Sequence, residues 1–210
     1  MGQVEDLLAV ARAELGYREG SNNDNKYGRW YGMNNQPWCA MFVSWCAARA
    51  AIDAQQIPKM AYVPYMVDFY RQRGRYRAAA NYTPRPGDII FFGNSSHVGL
   101  VEKVSGGSVV SIEGNTSASG NSSNGDGVYR RTRALTNSWI MGYGSPEYKE
   151  DDEVDIKDLQ IKNLDSGQLV QVLAVNVEGS NYIRLRDVEK LFPVRIDWDG
   201  SDPTLQLNYR

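Results

Sequence analysis

The sequence predicts an α+β fold, and three observations carry that reading. Helix-forming patterns fill the first third of the chain, strand patterns take over from Pro84, and an acidic run then separates a short second segment. The chain has 210 residues, 42% of them hydrophobic, which is enough for a true core in one sizeable domain with a small appendage. Residues 1–148 carry a net charge of +3 and the remainder −5. A mildly basic front part is the ordinary charge of a solvated surface and gives no footprint for nucleic acid. The first residues, MGQVEDLLAVARAEL, mix acids with apolar side chains. They lack the basic start of an export signal, and no stretch reaches membrane-spanning length.

Val4, Leu7, Leu8, Ala11 and Leu15 recur at three- and four-residue spacing, which predicts an amphipathic helix over 3–15 ended by Gly16. The following text, GSNNDNKYGRWYGMNNQ, has no apolar stripe and reads as a loop presenting aromatic walls. Pro37 then opens a second helix over 38–51, because its ring presets φ and its missing N–H is one the first turn leaves unpaired anyway. Cys39, Phe42, Val43, Cys46 and Ala50 share its buried face. A further helix is expected at 65–73, after Pro64.

From TPRPGDIIFFG onward the pattern is that of strands. Residues 97–104 and 108–115 flank a Gly-Gly turn and predict a hairpin, and 128–133 and 140–143 predict closing strands after the low-complexity segment 114–127. The domain reading is a catalytic part at 1–148, an acidic linker at 149–156 and a small α+β module at 157–210. In that module strands are expected at 169–177, 194–198 and 205–207, with a short helix at 185–192.

The chemistry-bearing residues are few. Cys39 and Cys46 lie about 10 Å apart along one helix, too far for a disulfide, and two thiols with one histidine do not close a structural zinc site. A helix start supplies unpaired N–H groups and partial positive charge that favour a thiolate, so Cys39 reads as a nucleophile. Cys46, two turns further in, reads as a small buried apolar residue. The base falls to His97, the only histidine. If the hairpin forms about its Gly-Gly turn, the start of one strand lies beside the end of the other. Glu113 or Asn115 then holds the Nδ1 proton of His97 and selects the tautomer that takes a proton from Cys39. Tyr27, Trp30, Tyr31, Gln36 and Trp38 surround the nucleophile in sequence and are the candidate substrate-binding residues, with about half of the aromatics expected in the core.

The segments PWCAMFVSWC, PGDIIFF, SHVGLVEKV, SIEGN and WIMGYGSPEY, taken in order, resemble the CHAP family, the cysteine- and histidine-dependent amidohydrolases/peptidases of bacterial cell-wall lysis. The resemblance spans about residues 1–148. It implies a papain-like (NlpC/P60-type) fold with N-terminal helices packed on an antiparallel sheet. Cys39 would be nucleophile, His97 general base, and Glu113 with Asn115 the polar residues completing the site. Many relatives carry Gln directly before the nucleophile, where this chain has Trp38, so the resemblance leaves the oxyanion donor to the Cys39 backbone N–H. Some relatives bind calcium upstream of the cysteine, but here that stretch offers only Glu19 and Asp24, so no metal or other cofactor is expected.

The function these resemblances imply is an endolysin-like peptidoglycan hydrolase. It would act either as an N-acetylmuramoyl-L-alanine amidase or as a cross-link endopeptidase. It would wait in the host bacterial cytoplasm until lysis and reach the cell wall afterwards. The alternatives are a cysteine hydrolase acting on a protein and a non-catalytic wall-binding module. The tail, through NYIRLRDVEKLF, VRIDWD and LQL, resembles the N-terminal repeats of copper amine oxidases and bacterial stalk proteins. That implies attachment to wall polymers or homo-oligomerisation; no nucleic acid or membrane partner is expected.

Overall fold

The structure is a computed structural model that describes residues 2–118, 124–149 and, as backbone alone, the strands within 155–209. It divides into two compact units, Met1–Lys149 and Glu150–Arg210.

The first unit begins with helices α1 (Gln3–Ala13), α2 (Lys26–Tyr31), α3 (Cys39–Arg49) and α4 (Val63–Gln72). Strands β1 (Tyr76–Ala78), β2 (Ile89–Phe92), β3 (His97–Ser105), β4 (Ser108–Thr116), β5 (Gly127–Ala134) and β6 (Ile140–Gly144) follow. They form one antiparallel sheet in the order β1-β6-β2-β3-β4-β5. The fold is α+β, as the pattern of the sequence predicts.

In the first unit, two elements differ from expectation; in the second, β7 (Asp155–Lys162) begins inside the stretch expected as linker and β9 (Ser180–Ile183) is a strand not expected. The Asn- and Gly-rich stretch read as loop contains α2, six residues with no apolar stripe. Local chemistry holds it: the Asn25 side chain accepts a hydrogen bond from Gly28 N at 2.7 Å, and Gly32 ends the helix in the left-handed region at φ 93°. The short strand β1 pairs Tyr76 with Gly144 and Ala78 with Gly142 at the edge of the sheet. The arginine run RQRGRYR around it is structural. Arg71 pairs with Asp68, Arg73 lies over the Phe69 ring, Arg75 pairs with Glu147, and Arg77 donates to Gly74 O.

Strand alternation divides the core. Phe91, Val98, Leu100 and Ile112 turn toward the helices and pack with Leu7, Phe42, Val43, Met66 and Tyr70. Ile90, Phe92, Val101, Val109, Ile140 and Tyr143 form a second cluster on the opposite face. Helix α3 lies across β3 and β4. Gly114 permits that close approach, since a Cβ there would stand 2.6 Å from both Phe42 Cβ and Trp38 Cζ3. The entry to β2 is pinned by buried Asp88, which accepts from Arg85 N at 2.8 Å and from the Tyr82 hydroxyl at 3.0 Å.

In the second unit, β7 (Asp155–Lys162), β8 (Leu169–Val177) and β9 (Ser180–Ile183) form one antiparallel sheet, and β10 (Val194–Asp197) pairs with β11 (Gln206–Tyr209). The helix expected at 185–192 lies outside the described residues. Among the described residues, no helix is long and apolar enough to cross a membrane.

Candidate active site

Helix α3 starts at Cys39. Trp38 stands before it with no side-chain hydrogen bond to the first turn, so the leading N–H groups are not consumed by a cap. Cys39 is 4% exposed and Cys46 fully buried, and neither is in a disulfide. Burial, followed by the nearby Glu14 charge, pushes the Cys46 thiol well above its ordinary range, as befits an inert core residue.

His97 opens β3, opposite Phe92 of β2. The ring is fully buried, and its Nε2 lies 3.0 Å from Glu113 Oε2. Burial alone would lower the pKa of the imidazole. The Cys39 sulfur and the Glu113 carboxylate beside it outweigh that and carry it up to about 9. Its Nδ1 closes no hydrogen bond among the described residues. With Nε2 turned to Glu113, Nδ1 is the nitrogen left for the neighbouring sulfur. The hairpin pattern alone predicts the opposite orientation, with Nδ1 toward the carboxylate, whereas the ring presents Nε2 to Glu113.

Glu113 reaches His97 diagonally across the β3–β4 ladder. In the register that pairs Leu100 with Ile112, the residue opposite Glu113 is Gly99, and a Cβ at Gly99 would stand 2.5 Å from Glu113 Cγ. The missing side chain is the space through which the carboxylate leans toward the imidazole. Glu113 Oε1 accepts from the Ser111 hydroxyl, and Arg133 of β5 donates to both carboxylate oxygens. Burial would raise the pKa of this carboxyl, but His97 and Arg133 reverse that and bring it to about 2. Asn115, two residues on, is fully buried and adopts a left-handed φ of 53° where the β4–β5 ladder shifts register.

A cavity of about 500 Å³ opens at Cys39. Met33, Gln36, Tyr62, Asn94 and Ser95 are among its lining residues, and none of the lining residues is charged. Asn94 and Ser95 in its wall follow Gly93, and all three have positive φ, a costly run for the two residues with a Cβ.

The structure divides the residues expected to bind substrate. Gln36 lines the cavity and is exposed. Trp30 and Tyr31 are half-buried beneath the Lys59 ammonium, which lies 4.6 and 5.2 Å from their ring centres. Tyr27 and Trp38 are fully buried, stacked at 4.9 Å, and their polar atoms donate to Glu14 and Glu19. These two are core residues and offer no face to a substrate. The same bonds account for the upstream acids: Glu19 holds Trp38, and Asp24 accepts from Arg29 and Asn34. Among the described residues, no three His, Cys, Asp or Glu side chains gather as a metal site.

Sequence reasoning missed Arg133, Ser111, Gly99 and Trp139. Trp139 lies beside the imidazole, with ring centres 5.8 Å apart and planes at 13°. Ser111 was legible two residues before Glu113 on the same face. Arg133 was not, because its place depends on the β4–β5 register across a loop of unknown path.

No curated protein matches the sequence. The solved structures to which the chain is similar include Ly7917, at 17% identity and TM-score 0.44, covering 86% of this chain and 80% of that one. They also include the endolysin LysIME-EF1, at 14% identity and TM-score 0.42, covering 91% and 84%. A third is the peptidoglycan hydrolase RipB from Mycobacterium tuberculosis, at 18% identity and TM-score 0.40, covering 70% and 66%. Residues 30–115, which run from the end of α2 through Cys39 and His97 to Glu113 and Asn115, match the CHAP domain family. The segment that bears Cys39 and His97 is thus the part of the chain that is similar to a CHAP domain.

Proposed function

We propose that this protein cleaves an amide bond in peptidoglycan with Cys39 as nucleophile and His97 as general acid and base. The supporting observation is the buried succession of Cys39, His97 and Glu113, of which Cys39 lines an uncharged cavity. The Cys39 sulfur attacks the amide carbonyl and forms a C–S bond. As the tetrahedral intermediate collapses, the C–N bond breaks and His97 Nδ1 gives its proton to the leaving amine. Water then adds to the thioester, its proton passes to His97, and the sulfur departs as thiolate. Glu113 keeps the ring oriented through both steps. The N–H of Cys39 at the head of α3, where no side chain caps the helix, is the donor offered to the oxyanion.

The cavity lining favours a scissile bond flanked by neutral groups. The junction between the sugar lactyl group and L-alanine satisfies this, as does an alanyl or glycyl cross-link. A carboxylate placed there would lose water and gain no cation. The second unit, 150–210, is proposed to hold the enzyme to wall polymers or to a second copy of itself. Mass spectrometry of purified peptidoglycan after digestion tests the activity. New N-terminal alanine marks the amidase and new internal amines mark the endopeptidase, whereas intact muropeptides would overturn the proposal.

A further inference from the structure

The Cys39–His97 pair presents a problem of charge. One buried imidazolium can neutralise one anion, yet the proposed chemistry sets two beside it, a thiolate at Cys39 and the carboxylate of Glu113. Left to these three groups, the arrangement of lowest charge is a neutral thiol beside an imidazolium already matched to Glu113. That state has no nucleophile. A second buried cation changes the count to two and two.

Arg133 is that cation. It is the penultimate residue of β5, 6% exposed. Its Nη1 donates to Glu113 Oε1 at 2.5 Å, and its Nη2 donates to Oε2 at 3.2 Å. Nη1 also lies 3.4 Å from Ser111 Oγ. Its guanidinium carbon sits 4.5 Å from the Phe92 ring centre and 5.1 Å from that of Trp139, the two rings that also flank His97. Such a two-pronged contact fixes the plane of a carboxylate as well as its charge.

Building on the proposed function, we infer that Arg133 is a positioning residue that takes up the charge of Glu113, so that the positive charge of His97 is left to hold Cys39 as thiolate. Among the described residues, the titratable groups shown against the imidazole are Cys39 from α3 and Glu113 from β4. The β2 strand and the segment before β6 contribute Phe92 and Trp139, and β5 contributes Arg133 through Glu113. A guanidinium stays charged throughout the range in which the other groups titrate.

The test is the rate at which iodoacetamide alkylates Cys39 in the full-length protein as a function of pH, with the modified residue located by tandem mass spectrometry and folding checked by thermal melting. Arg133→Gln keeps a hydrogen-bond donor near Glu113 but removes the charge. It should move the acid limb of the profile upward by about one pH unit or more and lower the neutral-pH rate roughly tenfold. Arg133→Lys, which keeps the charge, should leave the limb close to wild type. The double variant Glu113→Gln/Arg133→Gln, in which one anion and one cation are removed together, should bring the limb back toward wild type. Equal behaviour of the Gln and Lys variants, or a double variant displaced as far as Arg133→Gln alone, would overturn the inference. If Arg133→Gln does not fold, the comparison of wild type, Arg133→Lys and the double variant carries the same test: a displaced Lys limb contradicts the inference. Failure of the underlying functional reading looks different, because wild-type Cys39 would then react no faster than an ordinary buried thiol and Cys39→Ala would still cleave walls.

Discussion

Gly99→Ala introduces one methyl group at the point where Glu113 leans across β3. The new Cβ would lie 2.5 Å from Glu113 Cγ and 3.1 Å from Ile112 O, where ordinary contact begins at 3.4 Å. Glu113 Cγ must therefore retreat by about 0.9 Å, the difference between the two carbon distances. A shift of that size stretches the 3.0 Å bond to His97 Nε2 beyond hydrogen-bonding range. A charge-assisted hydrogen bond contributes about 1.5–3 kcal/mol, and each 1.4 kcal/mol in a barrier is about tenfold in rate. The kcat/KM for purified peptidoglycan should fall roughly 10- to 100-fold, measured as release of new amino termini. Stability should change less, because Ala suits a strand better than Gly by about 0.5–1 kcal/mol, which offsets part of the local strain. Gly107→Ala is the matched control: at φ +73° with nothing within 4 Å, it costs turn strain and touches no site residue. A Gly99→Ala enzyme within twofold of wild type would refute the idea that the vacancy at Gly99 positions Glu113.

Other consequences are equally direct. Cys46→Ser buries a hydroxyl in a fully enclosed site and should cost about 1–3 kcal/mol by denaturant unfolding, leaving turnover per folded molecule unchanged. Asn25→Ala removes the cap of α2 and should cost about 1 kcal/mol in the same measurement. The pKa of His97 is raised from 6.5 to about 9, so its contribution to stability is complete below about 6.5 and is lost as pH rises through about 9. The pKa of Glu113 is lowered from 4.5 to about 2, so its contribution is complete above about 4.5 and is lost as pH falls through about 2. Thermal melting across pH should follow both edges, and the alkaline limb of kcat/KM should lie near pH 9 instead of 6.5.

Much of the site could be read from local sequence because local rules placed it. Pro37 and the apolar face of 39–50 put Cys39 at the head of a helix, and the Gly-Gly turn made a hairpin whose ends bring His97 to the end of β4. What was not legible depends on register and enclosure. The approach of Glu113 to His97 across the ladder uses the space left by the missing side chain at Gly99, which alternation does not anticipate. Tyr27 and Trp38 sit in an Asn- and Gly-rich stretch that looks like surface. They are buried because α2 folds back and because Glu14 and Glu19 satisfy their polar atoms. Arg133 reads as one of several surface arginines on an edge strand until the pairing of Val109 with Arg133 sets it beside the carboxylate.

The most direct test of the account compares wild type with Cys39→Ala on purified peptidoglycan, following soluble fragments by mass spectrometry while circular dichroism confirms that both are folded. Wild type should release fragments carrying a newly freed amine and the variant none above background. Identical fragments released by Cys39→Ala at the wild-type rate would contradict the assignment of Cys39 as the nucleophile.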